Sequence, residues 1–137
     1  MKIKPTLETI FYRDGRGPEL QKVVWADSGV TLVGFEYYNP DDIYEKENIK
    51  HIRLIGVEAF SFAGEEVHPD IYFIQNSDAA IFEVIDSDYK KSLSPRHLAN
   101  CKHYQLIFYD EIFDIICSSV VSGVGPLSEE QIIQSGS

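Results

Sequence analysis

The sequence predicts a chain of the α+β class that is mainly antiparallel β, folded as a curved sheet, an open barrel or a two-sheet sandwich with one to three short helices. About eight runs rich in β-branched and aromatic residues, each ended by Gly, Pro, Asn or Asp, predict short strands. The links between these runs are mostly short, and no long helical pattern alternates with them. A parallel βαβ sheet is therefore disfavoured, because it requires long helical crossovers.

The first half of the chain contains several predicted strands and one polar break. The strands are predicted over residues 7–13, 20–26, 30–38 and 51–62, and the last of these is the longest. Residues 30–38 carry apolar side chains on both faces, which is typical of a central strand. Asn39 and Pro40 break the pattern, and the polar residues 42–50 predict a short helix or a loop.

The second half begins with two β-like runs and then changes character. Residues 71–74 form a short apolar run, and residues 80–85 predict another strand. Ser87 has a side chain that caps helix N-termini, so residues 87–100 are predicted to contain helix, broken at Pro95. This segment is expected to cover one end or edge of the sheet.

A β-hairpin is predicted over residues 103–109 and 112–118, which flank the polar pair Asp110-Glu111. The pair is not a preferred two-residue turn, so a four-residue loop is an equal alternative. Alternation defines the two faces of the hairpin. One face carries Tyr104, Leu106 and Phe108, and on the return strand Phe113 and Ile115 share a face opposite to that of Ile112, Asp114 and Ile116.

The 137 residues fit a single globular domain spanning 1–137. Residues 122–137 are expected to form a peripheral C-terminal segment, which bends at Gly125-Pro126 and has a candidate short helix at 129–134. Neither an export signal nor an apolar stretch of membrane-spanning length is present. We therefore expect a cytoplasmic protein with Cys101 and Cys117 as reduced thiols and with no membrane contact.

The net charge of the chain limits the kinds of molecule that it is expected to bind. Lys and Arg number 12 against 22 Asp and Glu, which gives a formal net charge of −10. Nucleic acids gain most of their affinity for proteins from cations, so no nucleic-acid partner is predicted. A basic protein is the partner that this charge favours, while the oligomeric state is left open.

The chain has one cationic cluster, around the predicted helical segment. Its members are Lys90, Lys91, Arg96, His97, Lys102 and His103. We expect these residues, Lys102 aside, to be candidate anion- or ligand-binding groups, with a solvated face as the alternative. His97, Cys101 and His103 have the atom types of zinc ligands but lack a fourth partner, so no metal site and no cofactor are predicted.

Two acidic clusters are the candidate sites for a basic partner. The first contains Asp41, Asp42 and Glu45 after the Pro40 break, and the second contains Asp110 and Glu111 with Asp114 nearby. Neither cluster has the spacing of a calcium loop. Acidic surfaces of this kind accelerate and select association with cationic surfaces.

Two functions of different classes remain from the sequence. The first is a non-enzymatic protein-interaction domain with an acidic surface, in one version an inhibitor or immunity-type protein for a basic partner. The alternative is a small-ligand or anion-binding protein, or a small enzyme, that uses a pocket in the curved sheet. The sequence contains no motif of a known catalytic class, so no catalytic residue is predicted.

Overall fold

The computed structural model describes residues 2–14, 17–27, 29–73 and 77–128 of the chain. The helical elements of these residues are a 3-10 turn at Lys46–Asn48 and one short helix, α1 (Asp88–Lys91). The strands are β1 (Lys2–Pro5), β2 (Glu19–Asp27), β3 (Thr31–Tyr38), β4 (Lys50–Ile55), β5 (Ala59–Gly64), β6 (Ile81–Ile85), β7 (Lys102–Ile107), β8 (Glu111–Cys117) and β9 (Ser119–Val124).

The strands form two antiparallel sheets that pack face to face. The first sheet has the order β1-β6-β7-β8-β5, and the second has the order β2-β3-β4-β9. Neither sheet closes into a barrel. The predicted mainly antiparallel β class is confirmed, and the two-sheet sandwich is the observed member of the three predicted architectures.

The main hydrophobic core lies between the two sheets. Strand β3 contributes Val33, Phe35 and Tyr37, which are all fully buried. The side chains that face them come from the β7–β8 hairpin. The ring centroid of Phe35 lies 4.8 Å from that of Phe113 and 5.5 Å from that of Phe108. Edge contacts between aromatic rings add to the burial of apolar area, so this cluster fixes how the sheets pack.

The predicted hairpin and its faces are confirmed. Strand β7 pairs with β8 from Lys102↔Cys117 to Ile107↔Ile112, which leaves a four-residue loop between the last pair. Leu106 and Phe113 belong to the central core, whereas Ile112 and Ile116 belong to clusters on the other face of the sheet.

The outer face of the five-stranded sheet is covered by two segments of the chain. Ile71 and Tyr72 of the first covering segment (residues 65–73) pack on a cluster that includes Ile112. In the second covering segment (residues 87–101), Tyr89, Leu93 and Leu98 pack around Ile116. Side chains on this face of β7 and β8 are therefore buried, although they point away from the central core.

The predicted strand over residues 7–13 is wrong. The amides of Ile10 and Phe11 donate to the carbonyl of Leu7, which has a φ of 53°, so the chain turns here. The only ladder contact of this stretch in the described residues is an isolated bridge between Tyr12 and Ala79. The turn inserts the fully buried Phe11 into the core, and its burial favours this turn over an extended strand.

The single long strand predicted over residues 51–62 is also wrong. The chain forms β4 in one sheet and β5 in the other, with Gly56 between them at a φ of 71°. The amides of Gly56 and Val57 both donate to the carbonyl of Thr31 at 3.0 Å. The positive φ turns the chain from one sheet to the other.

Other local predictions have mixed outcomes. Ser87 caps α1 as predicted, while residues 71–73 form no strand and residues 74–76 lie outside the described part of the chain. Strands β1 and β9 were not predicted, and residues 122–124 of the expected peripheral segment belong to β9. The candidate helix at 129–134 lies outside the described residues. No helix among the described residues is long and apolar enough to cross a membrane.

Candidate functional site

The most highly connected polar group of the described residues is the carboxylate of Asp114. This residue lies on the outer face of β8, between Ile112 and Ile116, and pairs in register with Gln105 of β7. The two covering segments make Asp114 only 7% exposed. A buried carboxylate needs hydrogen-bond donors to remain charged, and here the donors come from the first covering segment and from β7.

Two histidines bind the two oxygens of this carboxylate. Nε2 of His103 lies 2.7 Å from Oδ1, and Nε2 of His68 lies 2.6 Å from Oδ2. Nδ1 of His68 accepts the backbone N–H of Asp70 at 3.0 Å, so its proton sits on Nε2 and is donated to Asp114. Gln105 adds a third donor, from Nε2 to Oδ1 at 3.2 Å.

Ser87 extends the network into the second covering segment. Its Oγ lies 2.6 Å from Nδ1 of His103 and accepts the N–H of Lys90 at 2.9 Å. The same hydroxyl thus caps α1 and contacts the histidine that binds Asp114. One polar network therefore joins both covering segments to the sheet beneath them.

Two opposing effects set the protonation of Asp114. Burial by itself raises the pKa of this carboxyl group, but the hydrogen bonds that it accepts from His103 and His68 outweigh the effect of burial. The pKa of Asp114 is therefore held below its ordinary value. The carboxylate is the charged, hydrogen-bond-accepting centre of the network near neutral pH.

Ser87, His103 and Asp114 have the residue types of an acyl-transfer triad, and their geometry argues against that role. A nucleophilic serine needs a hydroxyl that faces the substrate, with a histidine free to take its proton. Ser87 is 4% exposed, and its Oγ is engaged in capping α1. The arrangement favours a structural network that holds the covering segments in place.

A pocket of about 740 Å³ lies beside this network. It is bounded by the end of β6, by α1, by the second covering segment and by the start of β7. The lining combines apolar, cationic and acidic side chains: Val84, Ile85, Leu93, Pro95, Leu98, Lys90, Lys91, Lys102, Glu83 and Asp86, with Ser87, Ala99, Cys101 and His103.

The structure brings together part of the cationic cluster predicted from the sequence. Lys90, Lys91 and His103 line the pocket, and Lys102 lines it with them. Arg96 and His97 are exposed and are not among the lining residues. His97 adopts a φ of 68° in the loop after Pro95.

The zinc-type ligands considered in the sequence do not converge. The side chain of His97 is exposed, and the contact that joins it to Cys101 runs from the thiol to its backbone carbonyl at 3.7 Å. Both ring nitrogens of His103 are engaged by Ser87 and Asp114. Across the described ranges, no group of three or more metal-ligating side chains is arranged to hold an ion. Burial, with the charge of Glu58, raises the pKa of the Cys101 thiol, which disfavours its reactive thiolate form.

The two acidic clusters lie at the same end of the sandwich. Glu19 at the start of β2 pairs with Tyr38 at the end of β3, just before Asp41. The hairpin loop joins this end, because the amide of Tyr109 donates to the carbonyl of Pro18 at 2.8 Å. We call this surface the acidic end, and it contains Glu19, Asp41, Asp42, Glu45, Glu65, Glu66, Asp110 and Glu111.

Local contacts fix part of the acidic end. Oδ2 of Asp42 accepts from Nζ of Lys50 at 2.6 Å and from the amide of Asn39 at 2.9 Å. The hydroxyl of Tyr12 donates to Asp41, and this bond, with burial and the charges of Asp41 and Asp42, raises the pKa of Tyr12 to about 12. Asp41 and Asp42 are thus held by neighbours, while Glu45 is exposed at the N-terminus of the 3-10 turn.

The hairpin side of the acidic end is also electrostatically crowded. Burial raises the pKa of Glu111, and the charges of Asp110 and Glu19 add to the increase. The amide of Glu65 donates to the carbonyl of Asp110 at 2.8 Å, which brings Glu65 beside the loop. A cation placed here would relieve repulsion among these carboxylates.

An exposed apolar surface runs along one side of the sandwich. We call it the apolar strip, and it consists of Val23 and Trp25 on β2 with Phe60 and Phe62 on β5. The rings of Trp25 and Phe60 meet edge to face at 6.1 Å, although the two strands belong to different sheets. Trp25 is 60% exposed, Phe62 57% and Val23 42%.

Sequence reasoning missed the Asp114 network and the apolar strip. Asp114 was grouped with the surface acids of the hairpin, yet its place between Ile112 and Ile116 on one strand face was a visible sign of burial. Trp25 stands in the strand predicted over residues 20–26, and its side chain lies between two edge strands, where the sandwich is open at its side.

Comparison of the chain with protein families, with curated proteins and with solved structures finds no match. Two surfaces of the molecule bear on its function: the acidic end with the apolar strip, and the pocket beside α1.

Proposed function

We propose that this chain is a non-enzymatic interaction domain that binds a basic protein. The observation that carries the proposal is the continuity between the apolar strip and the acidic end. Strand β2 begins at Glu19, and β5 ends at Gly64 just before Glu65, so acidic residues flank one end of the strip. Apolar centres with polar borders are the usual anatomy of a protein interface.

The strip supplies the apolar part of this contact. Exposed large apolar side chains are common singly, but here Trp25 contacts Phe60, and Val23 and Phe62 lie two positions away on the same two strands. Tryptophan is among the residues whose loss from interfaces costs the most binding energy. We expect Trp25 to be the central contact and Phe62 to extend it toward the acidic end.

Charge selects a basic partner over a second copy of the chain. Two copies would each bring a net charge of −10 and would repel one another at long range. A cationic surface would instead be attracted at long range and would neutralise Asp110 and Glu111. The same clusters, with Asp41, Asp42 and Glu45, are the residues that the sequence predicted for a basic partner.

The edge of β2 favours contact by side chains over addition of a strand. The β2–β3 register shifts between Leu20 and Lys22, which marks a bulge near the start of this edge strand. Bulges and lysines on edge strands oppose edge-to-edge pairing. The partner would therefore pack on Trp25 and Phe62 rather than extend the sheet.

An inhibitor or immunity-type protein is one specific form of this proposal. Proteins that act on nucleic acids carry cationic surfaces for phosphate groups, and an acidic surface can occupy such a surface in place of the nucleic acid. The acidic end would then cover the cationic surface of its target, and the apolar strip would provide the affinity that persists at high salt.

The test is capture of partners from the lysate of the host cell with tagged full-length protein and four variants. Trp25→Ser removes the centre of the strip, and Asp110→Lys reverses one charge at the acidic end. Val124→Ser and Glu58→Lys are matched controls, since both residues are exposed and lie outside the strip and the acidic end. We expect a basic protein that both controls retain, that Trp25→Ser loses and that high salt weakens.

Two results would contradict the proposal. One is a purified partner whose affinity is the same for wild type and for Trp25→Ser. The other is a wild-type protein that sediments as a dimer and becomes a monomer on Trp25→Ser, because the strip would then be a contact between copies. Retention of binding by Asp110→Lys with unchanged salt dependence would remove the acidic end from the proposal.

A further inference from the structure

The pocket beside α1 carries an uncompensated cation. Lys91 forms an ion pair with Asp86, and Nζ of Lys102 lies 3.6 Å from Oε1 of Glu83. Nζ of Lys90 donates instead to the neutral carbonyl of Cys101 at 2.7 Å. Within the described residues, no carboxylate lies at ion-pair distance from Lys90, so its charge is left for a ligand.

Lys90 is held in place where a ligand would meet it. The residue is half-buried, and its hydrogen bond to Cys101 joins α1 to the start of β7 across the pocket. An ammonium group carries several N–H donors, and one neutral acceptor leaves the others free. A fixed cation with unused donors binds an anion at a small cost in side-chain entropy.

The rest of the pocket is suited to an apolar body. Val84, Leu93, Pro95 and Leu98 provide much of the lining, and the volume of about 740 Å³ lies in the range of small-molecule sites. His103 adds the surface of its ring, since both of its nitrogens are engaged by other groups.

We infer that this pocket binds a small carboxylate with an apolar aliphatic or aromatic body. The carboxylate lies against Nζ of Lys90, and the body contacts the Leu93–Leu98 side of the pocket. A multiply charged inorganic anion fits less well, because Lys91 and Lys102 already have carboxylate partners. A neutral apolar molecule fits less well too, because it would remove water from Lys90 without replacing its hydrogen bonds.

The inference is independent of the proposed protein contact. The pocket lies at the end of β6 and the start of β7, and the acidic end lies at the opposite ends of the same strands. Loss of partner binding in Trp25→Ser would therefore leave carboxylate binding unchanged. Loss of carboxylate binding would likewise leave partner binding unchanged.

The test is a titration of the full chain followed by amide chemical shifts in NMR spectra. The probes are octanoate and 3-phenylpropanoate, with octanamide as the isosteric neutral molecule and inorganic phosphate as the bare anion. We expect octanoate to shift the amides of Ser87, Lys90, Leu93 and Lys102. Its affinity should exceed that of octanamide by about tenfold or more, as for hydrogen bonds between charged groups.

Three variants assign the effect to Lys90. Lys90→Gln should weaken octanoate by about tenfold and leave octanamide unchanged. Lys90→Arg keeps the charge and should retain the preference for octanoate over octanamide. Lys46→Gln is the matched control, because Lys46 is an exposed lysine of the 3-10 turn, and it should bind octanoate as the wild type does.

Each contrary outcome overturns the inference. Equal affinity for octanoate and octanamide would show that charge is not recognised, and equal affinity for phosphate would show that the apolar walls do not contribute. Unchanged octanoate affinity in Lys90→Gln would remove Lys90 from the site. Spectra of the wild type in which neither carboxylate shifts the pocket amides at about 10 mM would exclude the site without any variant.

Discussion

Asp114 accepts a hydrogen bond from Nε2 of His68 at 2.6 Å, although 46 positions separate the two residues along the chain. The other oxygen of the same carboxylate binds Nε2 of His103 at 2.7 Å. His68 belongs to the first covering segment, and His103 contacts Ser87 of the second. A single charged group therefore couples both covering segments to the sheet, and the walls of the pocket depend on that coupling.

Replacing Asp114 by asparagine should destabilise the fold by about 3 kcal/mol, since it leaves buried donors without a charged acceptor. An asparagine has an NH2 group in place of one of the two carboxylate oxygens, so one of the two histidine donors would face another donor. The measurement is urea unfolding monitored by tryptophan fluorescence, with the free energy of unfolding compared at neutral pH.

The matched control for this substitution is Asp27→Asn, at the exposed end of β2. We expect the control to change the free energy of unfolding by less than about 0.5 kcal/mol. A loss of the same small size in Asp114→Asn would mean that the network contributes nothing to holding the covering segments.

The contribution of Asp114 should depend on pH with a defined sign. Its pKa lies below the ordinary value of 3.8, so the folded state binds this proton less tightly than the unfolded state does. The stabilisation is therefore complete above the unfolded pKa and is lost as the pH falls through the lower folded pKa. The difference in unfolding free energy between wild type and Asp114→Asn should shrink as the pH falls from about 5 through the unfolded and then the folded pKa of Asp114. A difference that stays constant over this range would contradict the assigned charge state.

Ser87→Ala should cost about 1–2 kcal/mol, because it removes a helix cap and the partner of His103 at once. Hydrogen exchange at the amide of Lys90 should become faster, since that amide donates to Ser87 Oγ. Ser94→Ala, an exposed serine of the same covering segment, is the control and should leave both quantities unchanged. Normal exchange at Lys90 in Ser87→Ala would show that the cap is dispensable.

Local pattern was sufficient to predict the hairpin and insufficient to predict the polar network. Alternation in residues 103–118 separated Phe113 and Ile115 from Ile112 and Ile116, and the two groups lie on opposite faces of the sheet. His103 and Gln105 contact Asp114 from the neighbouring strand of the hairpin, whereas His68 contacts it from a covering segment that lies far away in the sequence. His68 lies in a stretch with no periodic pattern of apolar residues, so nothing in the sequence around it predicted its contact with Asp114.

The sandwich itself required non-local information in the same way. Residues 51–62 have a continuous β-like composition, and nothing in that composition separates β4 from β5. The separation comes from Gly56, whose positive φ and hydrogen bond to Thr31 turn the chain between sheets. A glycine within a strand pattern is compatible with several backbone conformations. The carbonyl of Thr31, which selects the observed conformation of Gly56, lies 25 residues away in the sequence.

Gly56→Ala should therefore destabilise the fold by about 1–3 kcal/mol. A Cβ atom at this position would be strained at a φ of 71° and would collide with the side chain of Ser118. Gly64→Ala is the matched control, because a Cβ there meets nothing closer than the carbonyl oxygen of Asp110 at 3.9 Å. The control should be neutral within about 0.5 kcal/mol, or slightly stabilising, because alanine restricts the unfolded chain more than glycine does. Thermal unfolding of both variants by circular dichroism makes the comparison, and equal midpoints would show that the crossing between sheets does not need a glycine.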